Sequence, residues 1–191
     1  MEEEYIRYAG FSHLEKLDMV IDNMLSIDPA IRPLDNDEQY GGLIEFPPND
    51  TREFIIVGDL HGNNKNLKAI LQHEQNLYKL KDNKAVMIIL GDCLHIETVG
   101  KLYEMDSSIA IMDIIIRLLN EYPDNVFYVL GNHDTYSERL SKSGIQQGVL
   151  FHKALAKKRG RKYVELLQEF FDSLPVVVLH KNFLIDINWM N

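Results

Sequence analysis

At 191 residues, 46% of them hydrophobic and 26% charged, the chain is long enough to bury one core and short for two. A formal charge of −9, from 20 Lys+Arg against 29 Asp+Glu, argues against binding a nucleic-acid duplex, which calls for a basic face. The single cysteine, Cys93, excludes an intrachain disulfide and a multi-cysteine zinc site.

The N-terminal stretch MEEEYIRYAG is acidic where an export signal is basic and then apolar. No segment reaches the roughly 18 uncharged apolar residues of a membrane span. A cytoplasmic location is therefore expected, although secretion by a route that reads other signals is compatible with the sequence.

Residues 11–26, FSHLEKLDMVIDNMLS, place Ser12 and Glu15 at capping-box spacing and Leu14, Leu17, Ile21 and Leu25 at helical intervals, which predicts a helix. Pro29, Pro33, Gly41, Gly42, Pro47 and Pro48 then mark an irregular connector. Residues 1–50 are thus expected to form a helical extension and connector, and 51–191 the main domain, incomplete at its C-terminus. Within it, Phe54–Asp59 reads as a strand and NNKNLKAILQHEQNLYKL as a helix. AVMIILGD is a second strand, SSIAIMDIIIRLLNEYP a buried helix, and NVFYVLGNHD a third strand. GRKYVELLQEFFDSLP is a further helix, and VVVLHKNFLIDIN reads as two short strands. Apolar strands alternating with helices imply an α/β fold whose sheet is covered on both faces.

Three of these strands end in related ways: Gly58-Asp59-Leu60-His61-Gly62, Gly91-Asp92, and Gly131-Asn132-His133-Asp134. In α/β sheets the ligand crevice lies beyond the carboxyl ends of the strands, so Asp59, His61, Asp92, Asn132 and His133 should share one space. The three glycines are expected to permit sharp turns and close approach of the chain to a ligand. Two carboxylates, an imidazole and an amide oxygen suit Mn²⁺, Fe or Zn²⁺ better than Ca²⁺, whose sites are built from oxygen. Asp59 and Asp92 brought together without a cation would repel and raise one pKa. A lone Gly-Asp after a strand is an ordinary turn; three such ends in order are not.

The series resembles the calcineurin-like metallophosphoesterases over roughly residues 53–185. Its GDLHGN form is most similar to the branch of serine/threonine phosphoprotein phosphatases and bacterial symmetrical dinucleoside tetraphosphate hydrolases. The resemblance implies an αββα sandwich of mixed sheets flanked by helices, here with its C-terminal strands missing. It implies two divalent metal ions, manganese first and iron or zinc as alternatives. Asp59 and His61 would hold the first, Asp92 would bridge both, and Asn132 would bind the second. The implied reaction is hydrolysis of a phosphoric ester by a water that both ions activate, with His133 as the general acid at the leaving group. The substrate would be a phosphorylated protein or, alternatively, a nucleotide. Cys93, beside Asp92, reads as packing.

The pattern breaks in two places. His95 stands where the family's orienting carboxylate is expected and Ile96 where its phosphate-holding arginine is expected. His95, Asp134 or Glu97 could orient His133, and Arg139 is a candidate for the phosphate. Further on, Ile187 or Asn188 falls where a metal-binding histidine is expected, and Trp189 where a glycine is. His180 lies one strand too early and reads as a buried or edge histidine, whereas His73 and His152 read as solvated and His13 belongs to the first helix. The chain is accordingly expected to be the N-terminal part of a longer phosphatase. An inactive relic that binds partners through residues 1–50, or a single-metal site of Asp59, His61 and Asp92, are the alternatives. Specificity should reside in the loops ETVGKLYEMD and TYSERLSKSGIQQG.

Overall fold

The computed structural model describes residues 10–186 and opens with α1 (His13–Met24), whose start is the predicted capping box. The Ser12 side chain accepts from the Glu15 N–H at 3.2 Å, and Glu15 Oε2 accepts from the Ser12 N–H at 2.7 Å. The connector leads to β1 (Leu43–Glu45) and then to β2 (Glu53–Val57). After β2 comes α2 (Asn64–Gln72), capped by the Asn63 side chain. The predicted single helix over residues 63–80 is in fact two. A 3-10 turn at His73–Gln75, with positive φ at Glu74 and Gln75, separates α2 from α3 (Asn76–Lys81).

Every residue of β3 (Ala85–Ile89) is buried, as a central strand requires. It is followed by α4 (Asp106–Glu121) and β4 (Val126–Tyr128). A small hairpin, β5 (Ser141–Lys142) and β6 (Ile145–Gln146), turns through Ser143 and Gly144, both at positive φ, as a tight two-residue turn demands. Gly160, at φ +89°, separates α5 (Gln147–Arg159) from α6 (Arg161–Asp172). The two C-terminal strands are β7 (Val177–His180) and β8 (Phe183–Asp186).

The central sheet has the order β2-β3-β4, all parallel; a second sheet has the order β1-β7-β8, with β1 parallel and β8 antiparallel to β7. The two sheets share a core of Ile44, Phe46, Val86, Ile88, Phe127, Val129 and Val178. Helices cover the other face of the central sheet, burying among others Leu17 and Val20 of α1, Ile111 and Ile115 of α4, Phe151 of α5 and Phe170 of α6. The fold is the mixed α/β sandwich of sheets flanked by helices that the resemblance implies.

Residues 13–45 are built into the fold. Helix α1 packs on α4 and α6, and β1 completes the second sheet beside β7. Buried Arg32 fastens the connector, donating to the carbonyls of Gly41 (3.0 Å), Met24 (3.1 Å) and Ser173 (2.6 Å). His180 is also settled by packing. It is buried between the rings of Phe54 (4.8 Å) and Phe183 (5.1 Å), and neither ring nitrogen has a hydrogen-bond partner. Ile187, Asn188 and Trp189 lie outside the described residues.

Candidate metal centre

Register pairs Val57 with Ile89 and Ile89 with Tyr128, so the carboxyl ends of β2, β3 and β4 finish level and their loops leave side by side. A Cβ on Gly91 (φ +75°) would lie 2.2 Å from Gly131 N, and one on Gly131 would lie 2.3 Å from Asp92 N. These two glycines are therefore required, but by backbone pressed against backbone rather than by a ligand. Gly58 departs from the expectation: a Cβ there meets nothing within 4 Å, and its φ is not positive. Backbone strain falls instead on His61 (φ 42°), Asp92 (φ 48°) and His95 (φ 61°), three side-chain-bearing residues in left-handed conformations around one point.

The Asp92 carbonyl accepts from the N–H groups of Leu60 (3.2 Å) and His61 (3.0 Å), which ties the first motif to the second. Asp92 Oδ1 in turn accepts from the His133 N–H at 2.6 Å, which ties in the third. Burial raises the Asp92 carboxyl pKa; the His133 contact opposes this and the charge of Asp59 adds to it. The rise thus comes chiefly from burial of the carboxylate, with the Asp59 charge a smaller contribution. His61 Nδ1 faces the carbonyls of Leu94 (3.3 Å) and His95 (3.2 Å), so its proton belongs there and Nε2 presents a lone pair. That nitrogen sits 3.8 Å from Asp59 Oδ2 and 3.9 Å from Glu97 Oε2. The His133 ring lies across from His61, centroids 5.0 Å apart, its pKa lowered chiefly by burial. Among the described residues, His61, Glu97 and His133 each offer a ligand atom within 4.8 Å of the others. Mixed nitrogen and carboxylate donors around a free imidazole lone pair fit a divalent ion of the borderline class.

Asn132 is exposed on the same loop. Asp134 is brought to the loops but not to their open side. It is buried, and its Oδ2 accepts from the N–H groups of Gly131 (2.9 Å) and Asp92 (3.3 Å). Burial pushes its pKa up to about 7. Asp134 is thus a brace that holds the second and third motifs together. His95 is fully buried behind His133, ring centroids 6.2 Å apart, with Phe151 on its flank and the main chain of His133 and Thr135 beside it. Burial lowers its pKa to about 4, so it is neutral at pH 7. Neither residue makes the hydrogen bond to His133 that an orienting group would. Cys93 is buried and its thiol donates to the Gly91 carbonyl, which makes it packing. Arg139 is exposed, with its backbone N–H held by Ser137.

One residue escapes sequence reasoning: Lys142, on β5, whose Nζ is 2.5 Å from Glu97 Oε1. The only local signal is the Ser143-Gly144 turn, which folds this lysine back toward the centre. Beside His61 opens a cleft of about 900 Å³, walled by Asn63, Asn64 and Lys65 on one side and by Thr98, Lys101 and Tyr103 on the other. The second wall belongs to the loop ETVGKLYEMD, one of the two from which specificity is expected.

Carboxylate and imidazole side chains thus gather at the three strand ends of a two-sheet α/β sandwich. The sequence matches the family model for calcineurin-like phosphoesterases over residues 53–189, and the chain belongs to that family. No curated protein sequence matches it significantly. Among solved structures it is similar to a protein serine/threonine phosphatase from Saccharomyces cerevisiae described as similar to human phosphatase PP5. The match has 17% identity and a TM-score of 0.56, and covers 97% of this chain but 51% of the yeast chain. That likeness supports the fold; the chain spans about half the length of the protein it matches.

Proposed function

We propose that the chain is the core of a metal-dependent phosphoric ester hydrolase, acting as a phosphoprotein phosphatase. The observation that carries this reading is the His61 imidazole. Its Nδ1 faces main-chain carbonyls while its Nε2 lies free between two carboxylates, with Asp92 and His133 hydrogen-bonded to each other on the same side. Asp59, His61, Asp92 and Asn132 would hold divalent ions, with manganese well suited to the oxygen-rich set. Such ions polarise phosphoryl oxygens and generate a nucleophile from water at neutral pH.

The chain's own residues supply the rest. Asp92 fixes the third loop through the His133 N–H and so sets where the His133 ring stands. His133 donates a proton to the departing oxygen. Asp134 keeps the loops of Asp92 and Asn132 in register from beneath. The cleft lined by Lys65, Lys101 and Tyr103 accommodates a phosphorylated segment of polypeptide, with lysines for acidic neighbours of the phosphate.

Hydrolysis of p-nitrophenyl phosphate and of a phosphoserine peptide with added Mn²⁺ tests the reading. Asp92→Asn should reduce kcat at least about a hundredfold, in line with loss of a group that positions a catalytic acid. If a folded chain shows no such hydrolysis, or hydrolysis that Asp92→Asn leaves intact, the catalytic reading fails.

A further inference from the structure

Glu97 lies on the loop after the second motif, where none of the three strand-end motifs asks for a carboxylate. Its two oxygens have different partners. Oε1 is held 2.5 Å from Lys142 Nζ, and Oε2 is turned to His61 Nε2 at 3.9 Å. The same nitrogen has Asp59 Oδ2 at 3.8 Å on another side. With the His61 proton on Nδ1, Nε2 offers neither carboxylate a hydrogen, whereas a cation would bind all three; Glu97 and His61 also belong, with His133, to a set of ligand atoms within 4.8 Å of one another.

We infer that Glu97 is a ligand, beside Asp59 and His61, of the metal ion that those two residues hold, and that Lys142 is the positioning residue that aims its carboxylate. The inference rests on the metal-binding reading proposed above and adds a donor that the motifs do not contain. Donor atoms bonded at about 2.1 Å to one ion stand roughly 3.0–3.4 Å apart at octahedral or tetrahedral angles. The observed 3.8 and 3.9 Å therefore close by less than an ångström, within reach of side-chain rotation at residues that are partly exposed. Lys142 also balances the charge, since Asp59, Glu97 and Asp92 would otherwise crowd three carboxylates around one or two ions. The competing account makes Glu97–Lys142 an ordinary surface ion pair, weak and indifferent to metal.

Titrating the metal-free chain with Mn²⁺ separates the two accounts, with calorimetry for affinity and electron paramagnetic resonance for free ion. Glu97→Gln is expected to weaken the tighter site at least about tenfold, and Lys142→Met by about tenfold, the usual cost of losing a group that orients a ligand. Unchanged affinity in both variants, while Asp59→Asn and His61→Ala lose the ion, would overturn the role of Glu97 and leave the proposed metal centre standing. No Mn²⁺ uptake by the unaltered chain, or uptake indifferent to Asp59→Asn and His61→Ala, would overturn both. Should Glu97→Gln fail to fold by circular dichroism, Lys142→Met decides alone, because it leaves every proposed ligand in place.

Discussion

Replacing Gly91 by alanine tests whether the strand ends truly abut. The new Cβ would sit 2.2 Å from Gly131 N, 2.4 Å from Gly131 Cα and 2.8 Å from the Val129 carbonyl oxygen. All three are backbone atoms, so no side chain can swing aside, and β3 and β4 must part by about an ångström to reach ordinary contact distance. Holding alanine at φ +75° costs about 1–2 kcal/mol. Overpacking adds about 1–3 kcal/mol. Parting the loops also strains the Gly131 N–H bond to Asp134, which contributes about 1 kcal/mol. The sum, about 3–6 kcal/mol, is a large share of the roughly 5–15 kcal/mol that stabilises a domain. It should appear in urea unfolding as a lower midpoint at unchanged slope. Gly100→Ala is the internal control. Its φ is +82° but nothing lies within 4 Å, so only the conformational cost of about 1–2 kcal/mol should remain. Equal losses for the two variants would refute the claim that backbone contact at the strand ends organises the site.

Three further outcomes follow from buried polar groups. Asp134, with its pKa raised to about 7, keeps a proton in the folded chain that the unfolded chain has lost. Asp134 alone should therefore lower the stability of the metal-free chain as pH rises from about 4 to 7, by at most about 4 kcal/mol, while buried His95, its pKa lowered to about 4, raises it over the same range by at most about 3 kcal/mol; Asp134→Asn should remove the falling part, so that stability of the variant rises with pH in urea titrations. Arg32→Ala strips three carbonyls of their donor and should cost about 3 kcal/mol or more in unfolding free energy, with Arg32→Lys recovering only a fraction because one ammonium cannot replace the fork. His180→Leu, which removes two unpartnered ring nitrogens from between Phe54 and Phe183, should raise the unfolding midpoint; a clear loss would show that the imidazole has a partner.

The strands and their terminal motifs were legible because the signal is local: a run such as Phe54–Val57 or Val86–Ile89 followed at once by glycine and a carboxylate. The capping box of α1 was legible for the same reason. The place of β1 was not, since its pairing with β7 depends on a partner far along the chain that no window of sequence contains. The break between α2 and α3 carries no glycine or proline; Glu74 and Gln75 take positive φ under tertiary constraint. Of the residues weighed as partners for His133, packing decided between readings that composition left equal. Asp134 went beneath the loops and His95 behind the ring, while Glu97 faced His61. Lys142 stayed hidden because its relevance exists only after a two-residue turn reverses the chain.

The second sheet joins Leu43 to Val177 in parallel, with the whole central sheet and its helices threaded between them. On the ribosome, β1 emerges long before the strand that will hold it, and must wait as an unpaired apolar segment while β2, β3 and β4 find one another. Closing so long a loop is entropically slow. The segment that precedes the first motif can therefore lock only once β7 is in place.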